Sequence, residues 1–272
     1  MYRSTTRRAV HRVARIILAG NIALNDSWRS YGTRPGAIGS MIPPFTPAVK
    51  GLVISCVVVF AGQWALEISG GGGLNPSGAI LQTFGLVPAG VWRHAHVWQL
   101  ATYLFLHGSL GHVLFNMLAL WMFGSSLESE WGASRFLRYY FLTGIGAGLV
   151  TAIATWRETT PTVGASGAIY GLLLAFAVLH PNRPIYLYFV FPVKAKWFAL
   201  GVGLLALYSS WAYTGSGIAN IAHLGGMLFG LAYLKRVWKV GEIYREIRWR
   251  LRRRRFREIR RPGNGDPRHP FH

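Results

Sequence analysis

Six stretches of apolar residues follow one another along the chain, separated by polar or glycine-rich segments. They cover about residues 51–69, 109–127, 135–155, 166–180, 194–214 and 218–236. A helix needs about 20 apolar residues to cross the hydrocarbon core of a bilayer, and fewer where it begins below the surface. The pattern therefore predicts an all-α membrane protein built from six transmembrane helices.

Positive charge is concentrated at the two ends of the chain, outside these stretches. Residues 1–50 hold eight Lys and Arg and residues 235–272 hold 14, so the ends carry 22 of the 29 in the protein. Basic segments beside membrane spans stay on the cytoplasmic side. Both termini are therefore predicted to be cytoplasmic, which requires an even number of spans.

The short connections between the spans carry the same charge bias. The predicted inner connections hold Arg135, Arg138, Arg183, Lys194 and Lys196, whereas the outer ones hold only Arg93 and Arg157. The chain thus divides into a basic extension (1–50), a membrane domain (51–238) and a basic tail (239–272). Orientation and attraction to anionic lipid account for the net charge of +20, so nucleic-acid binding is not predicted.

The longest connection is an outer segment of about 40 residues between the first and second spans. It contains Trp92, Trp98 and Pro88, a mixture typical of chain that lies at a membrane interface. We therefore expect a long, partly embedded outer loop, with a plain connector as the alternative.

Polar side chains recur at helical spacing near the outer ends of the second, fourth and sixth spans. The pairs are His112 and Asn116, Ser166 and Tyr170, and Asn220 and His223. Residues three or four apart share one face of a helix. Because these three spans run in the same direction, the three faces can meet just below the outer surface, where such side chains are costly and indicate function.

Ser166 has two interpretations, helix packing and chemistry. Its neighbours Gly164, Ala165 and Gly167 are small, and small residues let helices approach closely. Taken alone, the segment is more typical of packing.

Two glycine pairs connect the packing interpretation with the chemical one. Gly167 and Gly171 on the fourth span, and Gly226 and Gly230 on the sixth, would let the two helices approach. The serine hydroxyl could then contact the imidazole of the sixth span, which is the geometry that nucleophilic catalysis needs. Packing and catalysis therefore require the same glycines.

A contact between Ser166 and His223 predicts serine hydrolase chemistry. His223 would accept the hydroxyl proton as the general base. Attack on a carbonyl produces an oxyanion, which the amide of Asn116, the ring of His112 and the backbone N–H of Ser166 could stabilise.

Other hydrolase and metal motifs are missing from the sequence. Ala168 replaces the last glycine of Gly-X-Ser-X-Gly, there is no His-Glu-X-X-His, and the single cysteine, Cys56, excludes a Cys-based zinc cluster and an intrachain disulfide. No acidic residue lies in a motif with His223. We therefore expect a Ser-His dyad, with Asn220 or Tyr170 as possible positioning partners.

Four short segments, taken in order, resemble the rhomboid family of intramembrane serine proteases. They are HVLFNM with His112 and Asn116, GSSLESEWG with Gly124, Glu128 and Gly132, GASG with Ser166, and NIAHLGGMLFG with Ala222, His223 and Gly226. Each segment alone is a weak pattern, and their order on the second, fourth and sixth spans makes the combination specific. The similarity covers about residues 95–238.

The resemblance implies a six-helix bundle whose outer half opens to water, and cleavage of single-span proteins in or near their membrane segments. Ser166 would be the nucleophile, His223 the general base and acid, and His112 with Asn116 the oxyanion donors. Tyr170 would stack against His223. The resemblance implies no metal and no organic cofactor. The expected partners are the lipid bilayer and transmembrane substrates, and no oligomeric state is predicted.

The resemblance also assigns structural roles. Glu128 would hold the inner connection between the second and third spans. The family commonly has Trp-Arg in the outer loop, 14 and 13 residues before the oxyanion histidine, where this chain has Trp98 and Gln99. The arginine helps to brace the loop, so its replacement puts the stability of the loop in question.

Two other functions remain as alternatives. A non-proteolytic rhomboid-like chaperone or trafficking protein would share the bundle, although such proteins typically lack the serine or the histidine. A transporter with His107, His112 and His223 as its polar pathway would need polar residues in the inner halves of these spans, which are apolar.

The N-terminal segment bears on location. The apolar run at residues 16–20 is too short for a secretory signal. We expect a cytoplasmic extension and a bacterial inner membrane, with a mitochondrial presequence and an organellar membrane as the alternative.

Overall fold

The computed structural model describes residues 43–69, 76–187, 190–212 and 219–235. The helices are α1 (Pro47–Ser69), α2 (Pro76–Phe84), α3 (Pro88–His94), α4 (Gln99–Thr102), α5 (Leu110–Trp131), α6 (Ala133–Ala154), α7 (Ser166–Leu179), α8 (Ala195–Ala212) and α9, residues 219–235. A 3₁₀ turn, Tyr103–Phe105, follows α4, and a π-helical turn, Leu120–Gly124, interrupts α5.

The described part of the chain is mostly helical, as predicted. A helix lies over each of the six apolar stretches, namely α1 and α5 to α9. Three of them, α1, α5 and α6, are long and apolar enough to cross a membrane, and α7 is a shorter apolar helix. The predicted tail, 239–272, and nearly all of the predicted extension, 1–50, lie outside the described residues.

Large apolar side chains cover the outside of the helices. Val58 in α1, Phe115 in α5 and Trp211 in α8 are 63%, 75% and 83% exposed. Water-soluble surfaces rarely expose this much contiguous apolar area, whereas a lipid-facing surface does. The exposed surface therefore agrees with a membrane protein.

Helix α6 occupies the centre of the bundle. Phe136, Tyr139 and Tyr140 in it are completely buried. The hydroxyl of Tyr139 donates to the carbonyl of Gly171 in α7 (2.8 Å), and its ring packs edge-on against Tyr233 of α9, with ring centroids 5.3 Å apart. Helices α7 and α9 are therefore both held against α6.

The carboxylate of Glu128 binds the beginning of α1. It accepts hydrogen bonds from the backbone N–H groups of Ala48 and Val49, both 2.9 Å, and from the hydroxyl of Thr46. The first N–H groups of a helix have no partner within the helix and favour negative charge. The expectation that Glu128 holds the connection between the second and third spans is therefore wrong for its side chain, which caps the first span instead.

The two glycines that flank Glu128 lie at close contacts and turns. Gly124 faces Val49 of α1, where an added Cβ would lie 3.0 Å from the valine side chain. Gly132 has φ +77°, a conformation that side-chain-bearing residues rarely adopt, and it separates α5 from α6. Together these residues fix how α5 meets α1 and α6.

The segment between α1 and α5 packs onto the bundle at the end where α5 and α7 begin. Residues 85–90 in it are buried. The indole N–H of Trp92 donates to the carbonyl of Ala152 at the end of α6 (2.7 Å), and Leu86 and Thr162 exchange two backbone hydrogen bonds (2.9 and 2.8 Å). The segment thereby supports the residues that lead into α7.

The connection between α7 and α8 contains a small antiparallel sheet, β1 (Pro184–Leu187) paired with β2 (Phe191–Lys194). The all-α prediction is therefore wrong at this point. The segment is rich in Ile, Tyr, Phe and Val, which favour strands, and it is too short to cross a membrane as a helix.

Candidate active site

Ser166 and His223 are in contact although they lie 57 residues apart in the chain. The hydroxyl oxygen of Ser166 is 2.9 Å from Nε2 of His223, which is a hydrogen-bonding distance. Ser166 is the first residue of α7, and His223 lies in the first half of α9. The predicted proximity of alcohol and imidazole is therefore present.

The contact depends on how closely α9 approaches α7. A Cβ added to Gly226 would overlap the carbonyl oxygen of Gly167, so any side chain there would separate the helices. The prediction that four glycines pair across this interface is correct for Gly226, which lies on the backbone of Gly167, whereas a Cβ on Gly167 itself would first meet Ala147 of α6. The prediction is wrong for Gly171 and Gly230, which face Thr143 and Tyr139 of α6, because α6 lies between α7 and α9 at that depth.

Tyr170 orients the imidazole of His223 from one side. The two rings are stacked, with centroids 4.0 Å apart and planes 3° apart. Nδ1 of His223 is buried and has no hydrogen-bond partner among the described residues, so Asn220 does not hold it. In the part of the chain that the structure describes, ring stacking rather than a third polar side chain positions this histidine.

His112 and Asn116 lie in the first two turns of α5, on the face toward Ser166. Ser109 caps this helix, since its hydroxyl accepts the backbone N–H of His112 (3.1 Å). The Nδ2 atom of Asn116 is buried and has no partner among the described residues. An amide donor in this state is available to a bound group.

Gly164 brings the segment before α7 against these two side chains. Its φ is +118°, and a Cβ on it would lie 2.7 Å from Cε1 and Nε2 of His112 and 3.4 Å from Nδ2 of Asn116. The backbone N–H of Gly164 donates to the carbonyl of Tyr103 (2.9 Å). Only a glycine fits both this conformation and this approach.

A cavity of about 230 Å³ joins these groups. Its wall includes Ser166, His223, His112, Asn116 and Tyr170. Residues 162–164, Tyr103, Ala219 and the buried Ala222 complete the wall. Both the Ser-His contact and the unpaired amide therefore border one space large enough for a small part of a peptide.

Gln99 braces the loop in place of the family's arginine. It is completely buried, its Oε1 accepts the N–H of Val87 (3.0 Å), and its Nε2 donates to the carbonyls of Gln82 (2.8 Å) and Thr83 (3.2 Å). The neighbouring Trp98 donates its indole N–H to Thr83 (2.9 Å). Hydrogen bonds from Gln99 and Trp98 therefore hold the loop together at the position where the missing arginine raised a question about its stability.

Two further buried polar residues, Gln63 and His107, lie near the site. The sequence pattern does not indicate Gln63, and it indicates His107 only as part of a transport pathway. A polar glutamine inside the apolar run of α1 is the one sequence feature that could have indicated Gln63 as a functional residue. Within the described ranges, no group of three or more His, Cys, Asp or Glu side chains could hold a metal ion.

Comparison with known proteins points to the same family that the sequence motifs resemble. A family model described as Rhomboid domain matches residues 94–240. The mitochondrial Rhomboid protein 1 of Saccharomyces cerevisiae is 36% identical over 155 residues, which cover 53% of this chain and 43% of the yeast protein. RHOMBOID-like protein 1 of Arabidopsis thaliana is 33% identical over 185 residues, covering 64% of this chain and 44% of the plant protein.

A bacterial relative carries protease in its name. Rhomboid protease GluP of Bacillus subtilis is 31% identical over 169 residues, covering 61% of this chain and 30% of that protein. The chain spans less than half of the length of these three relatives.

Proposed function

Because the chain belongs to the Rhomboid family, we propose that it is an intramembrane serine endopeptidase. It hydrolyses peptide bonds in or near the transmembrane segments of single-span membrane proteins. The observation that carries the proposal is the 2.9 Å contact between Ser166 and His223 at the wall of a cavity. A hydroxyl becomes an effective nucleophile when such a base takes its proton.

The reaction proceeds in two halves. Oγ of Ser166 attacks the peptide carbonyl carbon while Nε2 of His223 accepts the hydroxyl proton, and the same proton then passes to the leaving amine as the C–N bond breaks. Water then attacks the ester on Ser166 as the imidazole takes its proton, and when the bond between the acyl carbon and Oγ breaks, that proton returns to Oγ and the acid is released. No cofactor takes part.

The oxyanion of each half-reaction lies toward α5. The Nδ2 donor of Asn116, the ring of His112 and the backbone N–H of Ser166, which has no partner within its helix at position 166, supply the stabilising donors. Their common location on one cavity wall supports this assignment.

We further propose that α1 and α5 to α9 are six transmembrane helices with both termini in the cytoplasm. The apolar length of α1, α5 and α6 and the basic residues at the chain ends support this arrangement. The site then lies near the outer surface, where a substrate helix can unwind and expose a carbonyl that its own hydrogen bonds otherwise shield. The proposed location is a bacterial inner membrane, with an organellar membrane as the alternative.

The test is cleavage of a model single-span substrate by the protein in liposomes. Ser166→Ala and His223→Ala should each lower kcat by about 10⁴-fold or more, as expected for members of one catalytic unit. Ser55→Ala is a matched control, because that hydroxyl is exposed and bonds only within α1. Equal cleavage by the parent and both site variants would disprove the dyad, and a folded parent without activity would favour the non-proteolytic alternative.

A further inference from the structure

Gln63 in α1 holds the backbone of His107 by both ends of its amide. Its Nε2 donates to the carbonyl of His107 and its Oε1 accepts the N–H of the same residue, each over 3.3 Å. Residues 61, 62 and 64–68 around it are exposed, whereas Gln63 is only 7% exposed. This end of α1 therefore turns one polar side chain inward, toward a single residue of the loop.

His107 is buried as a neutral ring with one nitrogen unpaired. It is 1% exposed, and its Nδ1 lies 3.3 Å from the carbonyl of Phe105, so Nδ1 carries the hydrogen. Burial, with a smaller contribution from the nearby His112, lowers the pKa of His107 to about 4. Its Nε2 has no hydrogen-bond partner among the described residues.

The ring of His107 lies against the ring of His112. The centroids are 5.2 Å apart and the planes meet at 72°, an edge-to-face contact. Gly164 approaches the Cε1 and Nε2 atoms of His112. The imidazole of His112 is therefore confined between the loop and the segment that precedes α7.

We infer that Gln63 and His107 are positioning residues for the reaction, through which α1 fixes the imidazole of His112 at the oxyanion. The inference rests on the proposed function. Gln63 sets the backbone of His107, and the ring of His107 sets the orientation of His112. Displacement of a catalytic donor by about 1 Å is enough to change a rate by up to about 10²-fold.

The kinetic test replaces Gln63 with methionine, which has a similar length and shape and makes no hydrogen bond to the His107 backbone. Gln63→Met should lower kcat for the model substrate by about tenfold, because the oxyanion donor is misplaced rather than lost. KM should stay within about twofold, since binding of the rest of the substrate is unchanged. Gly62→Ala is the matched control, because a Cβ there meets nothing within 4 Å.

A double-mutant cycle distinguishes positioning of His112 from general support of the fold. In a His112→Ala background, Gln63→Met and His107→Phe should cause no further fall in kcat, since the residue on which they act is gone. Falls of the same size in both backgrounds would overturn the inference.

A third measurement does not depend on catalysis. The ¹⁵N NMR signals of the His112 ring in detergent micelles should differ between the parent and Gln63→Met, and should be the same in the parent and Gly62→Ala. Unchanged signals in Gln63→Met would overturn the positioning role even if the parent is an active protease. A parent that cleaves nothing while the signals respond would contradict the proposed function alone.

Discussion

The two ends of α5 carry buried polar side chains in opposite environments. Toward its end, the carboxylate of Glu128 has three hydrogen-bond donors. Near its beginning, Asn116 leaves Nδ2 unpaired among the described residues, as His223 of α9 does at Nδ1, and both residues line the cavity. A saturated buried group stabilises the fold, whereas unpaired groups around a cavity are available to a substrate.

An unpaired atom does not by itself mark a functional site. The hydroxyl oxygens of Ser125 and Tyr140 are also buried without a partner among the described residues. Neither residue borders the cavity of Ser166 and His223. Convergence on one space distinguishes the site, so the comparison between the two ends of α5 can be tested by mutation.

Among variants that keep both Ser166 and His223, the largest effect on turnover is expected from removing the amide at the cavity end. Asn116→Ala should lower kcat by about 10²- to 10³-fold, the cost of one oxyanion donor, with little change in unfolding temperature. Asn116→Asp keeps the size and loses the donor, so it should not restore activity. Thr151→Ala is the control, because that buried hydroxyl bonds only within α6. Normal turnover by Asn116→Ala would remove the residue from this role.

A methyl group at the interface of α7 and α9 should separate the two halves of the dyad. Gly226→Ala forces α9 away from the carbonyl of Gly167, so kcat should fall by about 10²-fold. Cleavage assays beside Gly62→Ala, where the methyl group meets open space, check this expectation. Full activity of Gly226→Ala would mean that the close approach is not needed.

The opposite end of α5 should respond in stability and not in chemistry. Glu128→Ala leaves three donors at the start of α1 unpaired and should lower the free energy of unfolding by about 3 kcal/mol. Glu128→Gln should fall between this variant and the parent. Denaturation in detergent measures the change. If fully folded Glu128→Ala lost as much kcat as Asn116→Ala, the two ends of α5 would not differ in their roles.

The smallest effect concerns acid stability. Because burial lowers the pKa of His107 to about 4, the unfolded chain binds a proton at higher pH than the folded protein does. The contribution of His107 is therefore fully present above pH ~6.5 and is lost as the pH falls toward 4. The difference in unfolding between the parent and His107→Phe across this range isolates it, and a constant difference would contradict the prediction.

Residues on regular helices could be predicted from the sequence, because spacing fixes the face on which they lie. The Ser166 and His223 contact follows from helical periodicity and from glycines that permit close approach. The stacking of Tyr170 on His223 was expected from the family resemblance.

Contacts that depend on irregular backbone could not be predicted in the same way. The partners of Gln63 and Gln99 are backbone groups of the segment between α1 and α5, and a hydrogen bond to a backbone carbonyl or N–H does not depend on which residue carries it. Glu128 was recognised as structural, but its partners at the start of α1 are 79 to 82 residues away and share no motif with it. Gly171 and Gly230 contact α6, and a prediction that considered only α7 and α9 could not place them there.

The size of the cavity has a consequence for the second half of the reaction. One water needs only about 15 Å³ of such space, so a cavity of about 230 Å³ has room for several waters. In the proposed protease, water would reach the site from the outer surface only, because the surrounding lipid supplies none. A small reservoir beside the acylated serine would keep hydrolysis from becoming limited by the arrival of solvent.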